Sequence, residues 1–255
     1  MLRKLNDLRG FTIAATDGEI GSVDDFYFDD QSWEIRYVVV DTGPWILGRR
    51  VLISAVVMEA PQWESEILPV RLTKDQVENS PDIDLDAPIS RQHEISLHRH
   101  YGWSGYWYAA PTMTTPIGGM YTTPVPPTAV LPAEEEMTAH TEEQGDPNLR
   151  SMREVLGYNI QATDDPIGHV DDLFAGEEDW RIRYLLIDTR NWLPGRKVLV
   201  AVDWIDHIDW TAEDLFVSIT REQVEGSPEY NPQEPLTRHY ERDLYGYYNF
   251  PGYWF

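Results

Sequence analysis

The stretch W-E-I-R-Y-V-V-V-D-T-G-P-W-I-L-G-R-R-V-L-I, residues 33–53, decides the fold. Its first half is rich in Ile, Tyr and Val, which favour β-strands, and a turn with glycine and proline at 43–48 separates it from a second apolar run. Apolar and polar residues alternate at first, whereas 37–40 are all apolar. The pattern predicts a strand that begins half-exposed and ends buried on both faces.

The same stretch returns 147 residues later, as W-R-I-R-Y-L-L-I-D-T-R-N-W-L-P-G-R-K-V-L-V over 180–200. With this offset and no gap, residues 2–107 pair with 149–254, and roughly 40 of about 106 positions are identical. Every turn has kept its length, so both copies should share one fold. We expect domains at 1–107 and 149–255, each with an aromatic tail, joined by a linker at 108–148.

The linker differs in composition from both copies. No Lys or Arg occurs between 101 and 149, six prolines alternate with Thr and Gly over 111–132, and three glutamates follow at 134–136. Proline at this frequency, in a segment where apolar residues do not recur at regular intervals, is typical of an extended, partly disordered segment. Scattered apolar residues leave open that part of it docks on a domain.

Each copy contains several short apolar runs and one helix signal. In the first copy the runs are 22–28, 33–41, 50–54 and 66–72. Thr73 with Gln76 has the spacing of a helix capping box, Pro81 ends the helix, and the second copy repeats this at 220–228. About six strands and a short helix in about 80 residues predict a mainly β protein of two small barrels, since closure removes exposed sheet edges.

Composition and charge narrow the class of protein. The chain has 255 residues, no cysteine and a formal net charge of -24. It therefore has no disulfides or zinc-thiolate sites, and it offers no signal sequence or apolar run long enough for a membrane. We expect a soluble, cytoplasmic protein without a cofactor, and nucleic acid or an anionic membrane surface is disfavoured as a partner because both are polyanions.

Several motifs together resemble a known family. They are G-S-V-D-D-F-Y-F-D at 21–29, I-R-Y-V-V-V-D at 35–41, R-V-L-I at 50–53, and the L-T, Q-V and S-P pairs between 72 and 81. This pattern is similar to the PRC-barrel domain family, which includes the cytoplasmic domain of the photosynthetic reaction centre H subunit and the C-terminal domain of the ribosome maturation factor RimM. The resemblance implies a tandem of PRC-type barrels, and it implies a binding or assembly role because family members are chiefly non-catalytic.

Each copy carries the sequence V-D-D in mid-strand. Neighbouring strand residues point to opposite faces, so the two carboxylates diverge. Counting back from a turn at 29–32 places Asp25 opposite Arg36, and the same count places Asp172 opposite Arg183. We expect two cross-strand ion pairs, while cation binding or acid–base work by these carboxylates stays open.

The turn between the predicted strands 33–41 and 50–54 carries a tryptophan beside a charged pair. Asp41 and Arg49 flank Trp45, and the second copy has Trp192 and Arg196 at the equivalent positions. Trp and Arg are enriched at interface hot spots, so this turn is a candidate protein-binding surface. The alternative is a tryptophan folded back over the end of the barrel, with Arg49 bonded to Asp41.

Both copies end in aromatic tails that join the candidate interaction surface. The residues are Tyr101, Trp103, Tyr106 and Trp107 in the first copy and Tyr247, Tyr253 and Trp254 in the second. The glycines and the proline within these tails predict that both tails are extended ribbons and not helices. Such rings need a covering surface, which is either a barrel of the same chain or a partner.

The histidines are weak metal candidates. In an extended segment, His98 and His100 would place two imidazoles on one side, but the second copy has Tyr245 and Tyr247 there. No catalytic motif is recognisable, so we expect no metal site and no enzyme. The leading hypothesis is an adaptor or assembly module that binds a protein partner or itself, with a homodimer as one form. The alternatives are small-ligand, cation or photosynthetic-complex binding, or a hydrolytic enzyme, with a site at the seam between the barrels.

Overall fold

The computed structural model describes residues 1–46, 48–81, 89, 91–103, 105, 148–189, 193 and 196–254. Contacts group Met1–Glu78 with Asn148–Phe255 in one unit and Asn79–Pro147 in another. The strands of both sequence repeats therefore belong to the first unit. Of the predicted linker, only Asn148 is among the described residues, and the predicted domain boundaries stay a prediction.

Strands dominate the first unit, and both repeats present their strands in the same order, with one additional strand, Ile205–Asp209, in the second. The first repeat has β1 (Leu2–Lys4), β2 (Thr12–Ala15), β3 (Gly18–Asp29), β4 (Ile35–Asp41), β5 (Arg50–Ser54) and β6 (Ile67–Pro69). The second has β7 (Leu149–Ser151), β8 (Asn159–Gln161), β9 (Pro166–Gly176), β10 (Ile182–Asp188), β11 (Lys197–Ala201), β12 (Ile205–Asp209) and β13 (Asp214–Val217). The predicted mainly β fold is confirmed.

The α-helices are short. They are α1 (Lys74–Glu78), α2 (Arg91–Tyr101), α3 (Met152–Val155), α4 (Arg221–Gly226) and α5 (Arg238–Tyr248). Turns of 3-10 helix lie at Asn6–Leu8, Gly43–Ile46, Ala55–Val57 and Val202–Trp204. The predicted capping box is present in both repeats: Gln223 N–H donates to Thr220 Oγ1 at 3.1 Å, and Gln76 N–H to Thr73 Oγ1 at 3.3 Å.

The strands form two sheets. One has the order β5-β4-β3-β2-β6, with β7 also on β3, and the other has the order β11-β10-β9-β8-β13-β12, with β1 also on β9. An isolated bridge joins Met58, which follows β5, to Val70, which follows β6. The strand pairings of the described residues do not close either sheet, so the two barrels stay a prediction.

The two repeats exchange their first strands. β1 pairs with β9 of the second repeat, and β7 pairs with β3 of the first. The exchange is reciprocal: Leu2 lies opposite Gly176, and Leu149 lies opposite Asp29, which is the equivalent of Gly176. Neither sheet is complete without a strand from the other repeat, and the repeats form an intrachain pair.

A second set of contacts joins the repeats at the hairpins before β4 and β10. The N–H of Ile182 donates to the carbonyl of Trp33, and the N–H of Ile35 donates to the carbonyl of Trp180, both at 2.8 Å. The two tryptophans have φ values of 59° and 50°, in the left-handed region. For this reason β4 begins at Ile35 and not at Trp33 as the sequence predicted. Its remainder agrees with the prediction, with residues 37–40 all buried.

One repeated glycine is required by close packing. Gly21 and Gly168 have φ values of 149° and 136°. A Cβ atom would lie 2.2 Å from the carbonyl oxygen of Asp41 in the first repeat and 2.1 Å from that of Asp188 in the second. Such a backbone conformation and approach exclude a side chain, which explains why each long strand, β3 and β9, carries glycine near its start.

Candidate interaction surfaces

The repeated aspartates hold the exchanged segments in place. Asp25 accepts hydrogen bonds from Ser151 Oγ at 2.5 Å and from the N–H of Arg153 at 3.3 Å. Asp172 accepts from the N–H of Asn6, the equivalent of Arg153, at 3.2 Å. Burial raises the pKa of both carboxyls, to about 6 for Asp172. These carboxylates bind backbone of the opposite repeat and are not presented to solvent.

The predicted pairing of Asp25 with Arg36 and of Asp172 with Arg183 is wrong. The turn is two residues longer than the count assumed, since Phe28 pairs with Ile35 and Ala175 with Ile182. An irregularity next to each of these pairs shifts the register by one more residue. Val39 lies opposite Asp25, and Leu186 lies opposite Asp172. The guanidinium groups bind acids close in sequence, which are Glu34 at 2.6 Å and Asp29 at 3.8 Å for Arg36, and Asp179 for Arg183.

The predicted hairpin surface is partly committed to internal contacts. The ring of Trp45 is half-buried, and the ammonium of Lys74 lies 4.6 Å from its centroid. Arg49 Nη1 donates to the carbonyl of Glu78 at 3.4 Å, and Arg196 donates to the carbonyls of Glu225 and Ser227. Both arginines thus bind the orphan carbonyls at the ends of α1 and α4. Trp192 lies outside the described residues, and a binding role for this turn stays a prediction.

The second aromatic tail is not an extended ribbon. Tyr245–Tyr248 form the last turn of α5, which begins after the Thr237 cap and ends at Asn249 with φ 59°. One glycine, Gly246, lowers helix propensity by only about 1 kcal/mol, and packing of the apolar face outweighs this cost. The composition of the tail therefore did not reveal that its first residues form a helix.

That helical face packs on Trp204, in the 3-10 turn after β11, and on Tyr184 of β10. Trp204, 2% exposed, has its ring centroid 5.1 Å from that of Tyr245, 4.7 Å from Tyr248 and 5.1 Å from Phe250. Tyr247 is 43% exposed, although its ring contacts that of Tyr248 at a centroid distance of 5.0 Å. The rings of the second tail are thus mainly covered by the chain itself, with Tyr247 as the exposed exception.

A buried carboxylate fastens the end of the chain. Glu241 is 3% exposed and accepts hydrogen bonds from Tyr184 at 2.9 Å and Tyr253 at 2.6 Å, while Arg238 lies 3.1 Å away. Burial and this carboxylate raise the pKa of Tyr253 to about 12 and that of Tyr184 further. Trp254 is half-buried next to Tyr253, at a centroid distance of 5.1 Å. The cluster therefore has a structural role.

The first aromatic tail begins at the end of α2, in the second unit. Tyr101 ends this helix and stacks on Trp103 with a centroid distance of 4.2 Å. His98 and His100 also lie in the helix, so the extended geometry considered for them is wrong. No group of three or more metal-ligating side chains occurs among the residues that the structure describes. Tyr106 and Trp107 lie outside those residues.

Pairing of the repeats creates a cleft that the sequence did not predict. This first seam cleft has a volume of about 570 Å³ and lies between the Glu177–Trp180 hairpin of the second repeat and the 55–60 segment of the first. The apolar floor of the cleft is formed by Val56, which is 62% exposed, and by Met58 and Trp180, which are buried. Carboxylates of both repeats surround this apolar floor.

An equivalent cleft lies at the other side of the seam. This second seam cleft has a volume of about 490 Å³ and lies between the hairpin of the first repeat and residues 202–210 of the second. Asp203 and His207 occupy the positions that Val56 and Ala60 hold in the first seam cleft. The offset of 147 that relates the sequences therefore also relates the clefts.

The second seam cleft contains a carboxyl group with a raised pKa. Burial raises the pKa of Asp30, although Gln31 and Arg150 bind it at 3.1 and 3.4 Å. Asp206 binds His207 Nδ1 at 2.8 Å. Sequence reasoning missed these residues because they lie in separate elements, Asp30 in a turn and Asp206 and His207 in β12, and come together only across the seam.

Comparison with known proteins finds a family match in the first repeat. Residues 2–77 match the family model of the PRC-barrel domain. A search of curated proteins finds no match. That the second repeat belongs to the same family stays a prediction, which rests on its offset of 147 from the first repeat. Within the described part of the chain, no helix has the length and apolar character to cross a bilayer.

Proposed function

We propose that this protein is a non-catalytic adaptor or assembly module, which binds a protein partner or a second copy of itself through surfaces made by its paired repeats. The observation that carries the proposal is the reciprocal exchange of β1 and β7, which joins two PRC-like repeats and generates two related clefts. The match of residues 2–77 to a domain family of chiefly binding modules supports it.

The placement of the buried acids favours binding over catalysis. Asp25, Asp172 and Glu241 are each at most 5% exposed, and each is engaged by donors of the chain itself. A general acid or base needs access to a substrate proton, which these groups lack. The open clefts at the seam are lined by exposed carboxylates and apolar side chains, which suit a protein surface.

Affinity capture with the full chain from native lysate tests this function, combined with light scattering of the purified protein. We expect a protein that is captured reproducibly at physiological salt, or a dimer in solution. Recovery of the protein alone, together with a monomeric mass over the micromolar range, overturns the proposal.

A small-ligand site is the second candidate, because the second seam cleft contains Asp30 with its raised pKa. Native mass spectrometry of the purified full chain tests it. A bound small molecule that is lost in a His207→Ala variant favours this candidate, and a mass equal to that of the polypeptide argues against it.

A further inference from the structure

We propose that the first seam cleft binds a segment of a partner protein in which an apolar side chain is flanked by Lys or Arg. The inference rests on the proposed adaptor function and names its binding site and the chemistry of its partner. It stands on the exposed apolar floor of the cleft, on the carboxylates around it, and on the contrast with the second seam cleft.

Hydrogen bonds to the backbone fix the turn that carries Val56 in the apolar floor. Val56 is 62% exposed, and the turn that carries it is fixed from two sides. Ser54 Oγ caps the turn by accepting from the N–H of Val56 at 3.5 Å, and Arg71 donates to the carbonyl of Val56 at 2.5 Å. A fixed turn presents the valine side chain without a change of backbone, so a bound apolar group meets a preformed surface.

Charge around the cleft is negative, and two of its carboxylates are uncompensated. Glu34 is bound by Arg36 at 2.6 Å, and Glu177 by Arg3 at 3.2 Å. Glu59 and Glu178 have no ion pair among the described residues, and both are exposed. One belongs to each repeat, so the apolar floor lies between two free negative charges. A segment with cations on either side of an apolar residue complements this arrangement.

The second seam cleft shows that the fold does not need the exposed valine. The same turn is built in the second repeat with Asp203, which is exposed, in place of Val56. Gln31 replaces Glu178 there, and Arg181 replaces Glu34. The first seam cleft therefore departs from its structural equivalent toward an apolar and more acidic surface, at positions that do not support the core.

The acidic segment between the repeats does not supply a complementary occupant. Residues 101–148 contain no Lys or Arg and six acidic residues, so this segment has the wrong charge for the cleft. A second copy carries the same net charge of -24 and is repelled at long range. The complementary occupant is a basic segment of another protein.

Fluorescence anisotropy with a labelled peptide, Gly-Lys-Arg-Leu-Lys-Arg-Gly, tests the proposal on the full chain. We expect binding at least tenfold tighter than that of the same peptide with Ser in place of Leu. Val56→Asp, which copies the second repeat, and the double change Glu59→Gln with Glu178→Gln are each expected to weaken binding at least tenfold. Asp206→Asn, in the second seam cleft, serves as the matched control and is expected to leave the affinity within about twofold.

Equal binding of the Leu and Ser peptides, or unchanged binding by Val56→Asp, overturns the proposal, because binding is then a diffuse effect of charge. Circular dichroism and thermal unfolding of each variant exclude loss of fold as the cause. A partner captured equally by wild type and Val56→Asp overturns the cleft but leaves the adaptor function intact. A dimer of wild type that Val56→Asp dissociates overturns the basic partner in favour of a second copy.

Discussion

Replacement of Asp172 with asparagine is expected to stabilise the protein at neutral pH and to weaken the pH dependence of its unfolding. Asp172 is 4% exposed, and burial raises the pKa of its carboxyl from 3.8 to about 6, although the N–H groups of Leu173 and Asn6 bind it. Asparagine keeps the Oδ1 acceptor for both N–H groups. It removes the negative charge, which is the state that burial penalises.

The size and sign of the effect follow from proton linkage. The pKa of Asp172 is higher in the folded protein than in the unfolded chain, so the folded state binds more protons between about pH 4 and pH 6. Its contribution to the free energy of unfolding therefore falls as pH rises through this window. A shift of about two pKa units corresponds to about 3 kcal/mol, of which about 1.4 kcal/mol is lost between about pH 5 and about pH 7.5.

Urea unfolding followed by tryptophan fluorescence measures this at several pH values. The free energy of unfolding of Asp172→Asn minus that of wild type should grow by about 1.4 kcal/mol from about pH 5 to about pH 7.5. Asp171→Asn is the matched control, since it removes a charge at the next position, where the carboxylate binds Lys197 at 2.5 Å, and it should bring no gain. A difference for Asp172→Asn that does not change with pH would refute the reasoning.

Three further changes test the packing. Gly168→Ala should lower the free energy of unfolding by more than about 2 kcal/mol in the same urea assay, because its Cβ meets a carbonyl oxygen. Gly157→Ala is the control: φ is 93° there but the space around it is open, and the expected cost is about 1 kcal/mol. Glu241→Ala should cost about 2–4 kcal/mol, since it leaves two tyrosine hydroxyls without their acceptor, whereas Glu222→Ala at the surface should stay within about 0.5 kcal/mol. Ser151→Ala removes a donor from buried Asp25 and a helix cap, and a cost of about 1–3 kcal/mol in thermal unfolding is expected; no change would show that the exchanged strand does not depend on this contact.

Local features were predictable because each depends on neighbours in sequence. The alternation in 33–41 predicted a strand that ends buried on both faces, and the T-x-x-Q spacing predicted the caps of α1 and α4. The register of Asp25 was not predictable, because the turn before β4 is two residues longer than counting assumed and an irregular pairing between β3 and β4 adds one more residue of shift. The helix through Tyr245 was missed because tertiary packing on Trp204 overrides a glycine-rich composition.

The sequence by itself determined that two copies of one mainly β unit follow each other, with the same turns and helix caps. Only the tertiary structure decided which sheet each first strand joins, and therefore where the seam and its two clefts lie. The physical reason is that β1 and β7 offer the same backbone donors and acceptors, and each of the two similar sheets can satisfy them. Periodicity does not distinguish these pairings, whereas the contacts of Trp33 and Trp180 across the seam and of Asp25 and Asp172 with the opposite repeat favour the exchanged one.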